Sequence, residues 1–240
     1  MYSRVIAGEA RVFGVSGKLW NGVLVMYDEE TDSLWTQIDG RAIRGASGGT
    51  KLEYVESTFT TWKEWLRAHP DTQVLARDPE AEPLEGSRYA AYLDDPDRLF
   101  LPELGEGIGG VAPKDLVFGV TVAGEAWAVT ESVLRRDELV QTVVAGSLVG
   151  VVIDPSSGAT RAFLTDRDGE PRLLQPVPGR RPFDELRDAS SGETVRPADL
   201  PSLRLDRAYW YAWARSHPGS RVLADGPGPV PAVVDPGRGQ

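Results

Sequence analysis

Histidine is the commonest metal ligand and the usual acid–base group near neutral pH, and this chain has two, His69 and His217. They occupy matching contexts. Trp62, Trp65, His69 and Pro70 are echoed by Trp210, Trp213, His217 and Pro218, and Val74-Leu75-Ala76 by Val222-Leu223-Ala224, all at a shift of 148 residues. Two histidines in separate segments are too few for one metal site. A histidine in the last turn of a helix can instead bond the free carbonyls and suits the negative end of the helix dipole. The spacing therefore predicts a structural role, with no metal and no cofactor.

Other residue types give weaker chemical signals. Asp28, Glu30 and Asp32 alternate, with Asp39 beyond them, a faint imitation of a calcium loop. Ser33 stands where such a loop needs glycine for its sharp turn, so a solvated hairpin turn is expected. Gly14-Val15-Ser16-Gly17-Lys18 offers a serine and a lysine between strands. Its glycine spacing fits neither a phosphate-binding loop nor a nucleophile elbow, and Ser16 has no obvious base. A tight turn is expected there, with a backbone-lined ligand site left open. Gly105-Glu106-Gly107-Ile108-Gly109-Gly110 matches a dinucleotide fingerprint by letter alone. No strand clearly precedes it and Pro113 follows, so it reads as linker. No catalytic residue is assigned. The candidate ligand pocket comprises Ser16, Lys18, Asp28, Trp35, His69 and His217.

Composition narrows the partners. There are 36 acidic and 26 basic residues, a net charge of −10, and the basic residues form no cluster. Phosphate neutralisation needs a basic face, so nucleic acid is not expected. The chain has no cysteine, which removes disulfides and thiolate chemistry from these 240 residues. No apolar run approaches the roughly 20 residues needed to span a membrane. Met1-Tyr2-Ser3-Arg4-Val5-Ile6 lacks the basic and apolar regions of a signal peptide. A cytoplasmic location is the default expectation.

The elements that must position these residues are mostly strands. Val23 to Tyr27 and Ser33 to Ile38 flank an acidic turn in a hairpin pattern. Leu116 to Val122, Glu125 to Val129 and Leu139 to Ile153 are β-rich, with a short helix near Glu131 to Arg136. Trp62, Trp65, Leu66 and His69 fall at i, i+3, i+4 and i+7, one face of a helix stopped by Pro70, and Trp210, Trp213, Ala214 and His217 repeat the pattern. Thr61 and Glu64 have capping-box spacing. Upstream, Gly8 to Phe13 resembles Gly169 to Leu174 at a shift of 161, and Asp28 to Trp35 resembles Asp188 to Val195 at 160. Residues 116–162 have no first-copy counterpart.

The expected architecture is α+β, mainly antiparallel β, in two pseudo-duplicated units each closed by a tryptophan helix. Their expected ranges are 1–77, N-terminally incomplete, and 116–225. Residues 78–115 connect them, and 226–240, with four prolines and four glycines, form a disordered tail.

The stretch Phe13 to Leu19, the stretch Leu24 to Trp35, Thr60-Thr61-Trp62 and His69-Pro70-Asp71-Thr72 together resemble an uncharacterised prokaryotic family, a domain of unknown function. The resemblance covers most of residues 2–224. It implies a longer first unit with a Cys-Pro-Leu-Cys motif shortly before the stretch matching Tyr2-Ser3-Arg4, and such a motif suggests redox or metal chemistry. This chain begins after that point, and its second unit has Asp154-Pro155-Ser156-Ser157 there, keeping the proline and neither thiol.

The function expected is therefore a non-enzymatic binding or structural module, with a pocket between two halves and a small molecule or protein as partner. One alternative is a fragment or cysteine-less relative of a redox or metal-binding protein whose active segment lies upstream of Met1. Another is association through an open sheet edge.

Overall fold

The structure, a computed structural model, describes residues 1–57, 59–76, 89–101, 103, 108, 111–166 and 169–225. Among the described residues, twelve strand pairings form five sheets, and all but one of the pairings are antiparallel. The fold is α+β and β-rich, with a few short helices. No helix among the described residues is long and apolar enough to cross a membrane.

The C-terminal half is a stack of layers. One sheet contains β16 (Asp206–Tyr209), β7 (Leu116–Val122), β8 (Glu125–Thr130) and β17 (Arg221–Leu223), in that order. A second contains β15 (Ser202–Leu203), β11 (Thr160–Leu164), β10 (Ser147–Ile153) and β9 (Leu139–Val144). A third contains β12 (Leu174–Pro176), β13 (Leu186–Asp188) and β14 (Thr194–Val195). Strands alternate their faces, so each sheet can feed two cores. Phe118, Val120 and Val129 meet Val149, Val151 and α3 (Glu131–Asp137) in the main core. From the opposite face of the middle sheet, Val152 and Phe163 meet Leu174, Leu186 and Val195 of the third. From the outer face of the first, Val117 and Ala128 meet Trp210 and Trp213 of α4 (Trp210–Ser216). Gly119 makes that last contact close: a Cβ there would lie 2.5 Å from the Trp213 ring.

The N-terminal half has a ribbon, β1 (Val5–Ile6) with β2 (Glu9–Ala10), and one sheet, β3 (Phe13–Trp20), β4 (Val23–Asp28), β5 (Leu34–Thr36) and β6 (Ala42–Arg44). Its core comprises Trp35, Ala42 and Leu52, with Tyr2, Ile6, Phe13 and Met26 against them. The expected hairpin is β4–β5. The expected tight turn at Ser16-Gly17 is instead a bulge inside β3, where the register shifts between Val15 and Leu19 and Gly17 takes φ +71°. Glycine has no Cβ penalty in that left-handed region.

Both tryptophan helices form where expected, α1 at Trp62–Ala68 and α4 at Trp210–Ser216. The expectation that each closes a core holds only for α4. Trp210 and Trp213 are 4% and 0% exposed, whereas Trp62 and Trp65 are 52% and 36% exposed and Leu66 is exposed too. The reason is what lies beneath: α4 rests on β7–β8, and no described sheet lies beneath α1. Within the connecting segment, α2 (Ala90–Asp94) packs its Tyr92 on Phe100 with ring centroids 4.3 Å apart. The glycine run at 105–110, apart from Ile108, and the tail 226–240 lie outside the described residues.

Candidate functional site

The acidic turn between β4 and β5 is built around Asp28, which is fully buried rather than solvated. Its backbone closes the turn through Asp28 N–H to Ser33 O (3.1 Å) and Asp32 N–H to Asp28 O (2.9 Å), with Asp32 at φ +51°. Its carboxylate accepts from Thr31 N–H (2.8 Å), Trp35 Nε1–H (2.8 Å) and Arg11 Nη1 (3.2 Å). Burial pushes this carboxyl up. The bonds from Thr31, Trp35 and Arg11 outweigh burial and hold it below the ordinary aspartate value.

The same turn occurs at Asp188, where Asp188 N–H meets Glu193 O and Gly192 N–H meets Asp188 O, both at 2.9 Å. It occurs again at Asp154, where Asp154 N–H meets Ala159 O and Gly158 N–H meets Asp154 O, both at 2.8 Å. Serine donors take the place of Thr31: Ser190 for Asp188, and Ser156 and Ser157 for Asp154. Each has an arginine, Arg172 at 3.7 Å from Asp188 and Arg181 at 3.0 Å from Asp154. Serine bonds hold Asp188 low against burial, and bonds from Ser157 and Ser156 offset burial at Asp154. All three carboxylates are spent on capping their own turns. No group of three or more His, Asp or Glu among the described residues could hold a metal.

The remaining sequence candidates are similarly engaged. Ser16 Oγ donates to Val25 O at 2.6 Å and accepts from Lys18 N–H at 3.2 Å, which stabilises the β3 bulge. His69 follows α1 and lies 4.2 Å from the Trp65 ring; His217 follows α4 and stacks 3.8 Å from the Trp213 ring. Each histidine N–H reaches the tryptophan carbonyl four residues back, at 2.8 Å in both helices. The indoles are held alike, Trp65 Nε1–H to Thr72 Oγ1 at 3.0 Å and Trp213 Nε1–H to Ser220 Oγ at 2.8 Å. Burial pushes the His217 imidazole below its ordinary value. Of the six candidates, the structure brings Asp28 and Trp35 together; the other four stand apart from them.

A cleft of about 580 Å³ does lie between the halves. Tyr2, Leu24, Met26, Ile38 and Tyr54 line it from one side, and Arg204, Asp206, Tyr209 and Tyr211 from the other. None of the six candidates lines it. At its polar end, Arg204 donates to the Tyr2 hydroxyl (2.6 Å), the Asp206 carboxylate (2.8 Å) and the Ile38 carbonyl. The guanidinium also lies over the Tyr2 and Tyr54 rings, 5.1 and 5.3 Å from their centroids. Burial raises the Asp206 carboxyl above the ordinary range, and the opposing pull of Arg204 does not bring it back. Burial also pushes the Tyr2 and Tyr211 hydroxyls up, so both stay protonated donors.

A family model described as a protein of unknown function, DUF3179, matches residues 1–220. The chain belongs to that family. No curated protein and no solved structure matches the chain. Within this DUF3179 member, sequence reasoning missed the Arg204–Asp206–Tyr2 cluster because its members are remote in sequence. One signal pointed to it. At a shift of 148, Arg204 and Asp206 stand opposite Glu56 and Thr58, so the two similar stretches differ in charge at these positions.

Proposed function

We propose that this chain is a duplicated, non-catalytic binding module whose cleft between the halves takes a small molecule. The ligand would have an apolar, ring-sized body and a polar group able to bond Arg204, Asp206 or the Tyr2 hydroxyl. The observation that carries the reading is the cleft itself. Its volume lies within the ordinary range of ligand pockets, its walls carry apolar and aromatic side chains, and Arg204, Asp206 and the Tyr2 hydroxyl cluster within it. The Asp206 carboxyl, raised by burial beside Arg204, supports this reading as a group such a ligand could bond.

The duplicated units are proposed at residues 1–77 and 116–225. Matching backbone bonds support this: Ser3 N–H to Glu53 O and Leu164 N–H to Pro201 O, both 2.9 Å, and Glu29 N–H to Val12 O and Ala189 N–H to Leu173 O, at 3.0 and 2.9 Å. Tyr2 bridges Tyr54 as Phe163 pairs with Ser202. The cleft then lies between the two proposed units, with β4 of the first facing β16 of the second.

The test is a fluorescence titration with 1-anilinonaphthalene-8-sulfonate, a ring body carrying an anion. The parent, Leu24→Trp, which fills the cleft, and Trp65→Ala, which trims the exposed helix, are compared. Saturable binding of one dye per chain, lost in Leu24→Trp and kept in Trp65→Ala, is expected. Binding indifferent to Leu24→Trp, or no saturable binding at all, refutes the reading.

A further inference from the structure

The two tryptophan helices share their local geometry and differ in what covers them. On α4, Trp213 lies over Gly119 of β7, the Trp210 and Tyr211 amides donate to Asp115 O (2.8 Å) and Pro113 O (2.9 Å), and β17 runs parallel to β8. On α1, the equivalent Trp65 is partly exposed, and Val74 and Leu75, which match Val222 and Leu223 of β17, are 70% and 95% exposed. The result is apolar surface on helix and extended chain, matching by position the part of the α4 layer that β7–β8 covers.

We infer that the α1 face is the seat of an antiparallel β-hairpin of the β7–β8 kind, supplied by polypeptide other than these 240 residues. The occupant's chemistry follows from the α4 copy. Its first strand carries a glycine beneath Trp65, because a Cβ at Gly119 would already sit 2.5 Å from the Trp213 ring. Its second strand pairs parallel with residues 73–75, as β8 pairs with Arg221–Leu223. Among the described residues there is no spare hairpin of this kind. Its own β7–β8 is held under α4. Residues 77–88 hold one large apolar residue, Leu84, and in residues 226–240 no proline-free run exceeds four residues, against the seven and six of β7 and β8. This face is separate from the cleft, so its test and that of the cleft fail independently.

The probe is a fluorescein-labelled peptide of residues 113–131, the chain's own β7–β8 hairpin, added to the full chain and read by anisotropy. Saturable binding of one peptide per chain is expected. It should weaken at least tenfold with Trp65→Ala or Leu66→Lys in the chain, and as much with Gly119→Leu in the peptide. Trp20→Ala, an exposed tryptophan on β3, should leave it unchanged. A tethering arm covers a peptide that folds poorly by itself. Because the chain lacks cysteine, Leu66→Cys can be paired with a Val117→Cys peptide in a buffer of oxidised and reduced glutathione, the oxidised form accepting the two electrons; Ala214, the counterpart of Leu66, shares a cluster with Val117. At least tenfold more disulfide than with a scrambled peptide of the same composition is expected. Disulfide yield no greater than the scrambled control, or binding indifferent to both Trp65→Ala and Gly119→Leu, overturns the inference. So does a concentration-dependent dimer that shields Trp65, which would assign the face to a second copy.

Discussion

Trp210 and Trp62 are equivalent in sequence and unequal in surroundings, so truncating each to alanine separates local structure from packing. A buried tryptophan removes about 200 Å² from water, which at about 25 cal/mol per Å² is about 5 kcal/mol. Trp210 is 4% exposed, and its Nε1–H donates to Ile108 O at 3.0 Å. That bond adds about 1 kcal/mol, and the unfolded chain's own compactness removes a comparable amount. The expected cost of Trp210→Ala is thus about 3–5 kcal/mol, the range found for large aromatic truncations. Trp62 is 52% exposed, so half the area is already wet and Trp62→Ala should cost about 1–2 kcal/mol. Urea unfolding followed by far-ultraviolet circular dichroism measures both without relying on the fluorescence of the residue removed. For a chain of this size the difference separates the two midpoints by on the order of 10 °C in a thermal scan. Equal losses in the two variants would refute the assignment of α4 to a core and α1 to the surface.

Gly119→Val drives a side chain into the Trp213 ring and should destabilise by at least about 1–3 kcal/mol, read in the same urea assay. Asp28→Ala strands Arg11, Thr31 and Trp35 Nε1 around an emptied turn and should cost about 3–5 kcal/mol; a loss under 1 kcal/mol would show that the pair behaves as a surface contact. Asp28, Asp154 and Asp188 all titrate below the ordinary carboxyl value, so the unfolded chain binds more protons in acid. Their stabilisation is complete above about pH 4 and is lost as pH falls through their folded values. Asp188→Asn should make the acid limb of the stability–pH curve shallower by up to one proton, about 1.4 kcal/mol per pH unit; an unchanged slope from pH 4 to pH 2 would show that Asp188 carries no such linkage.

Much of the fold was legible because its signals are local. Alternation gave the hairpins, the i, i+3, i+4 tryptophan pattern gave both helices, and proline gave their ends. The burial of Asp28 was not legible, since a run of Asp28, Glu29, Glu30 and Asp32 reads as a solvated acidic turn until Trp35 and Arg11 fold over one member of it. The Asp154 and Asp188 turns spell Asp-Pro-Ser-Ser-Gly-Ala and Asp-Ala-Ser-Ser-Gly-Glu, a likeness visible in the chain. Recognising it requires knowing that serine and threonine at the third and fourth positions serve one carboxylate. The cleft was legible only as a relation between halves; Arg204 reaches Ile38 and Tyr2 across 166 and 202 residues.

The contrast between α1 and α4 shows where each level of structure is encoded. Sequences identical at eight positions produce the same helix, the same histidine stack and the same indole bond to a hydroxyl seven residues on. Those contacts lie within a dozen residues and need nothing else. Core membership is decided elsewhere, by Gly119 and the strands around it, more than 90 residues before Trp213 in the chain. A tryptophan helix therefore specifies a surface that wants a sheet without specifying that the sheet is present. Among the described residues of this DUF3179 member the requirement is met at α4 and not at α1, and α1 is where the inferred hairpin would gain its binding energy.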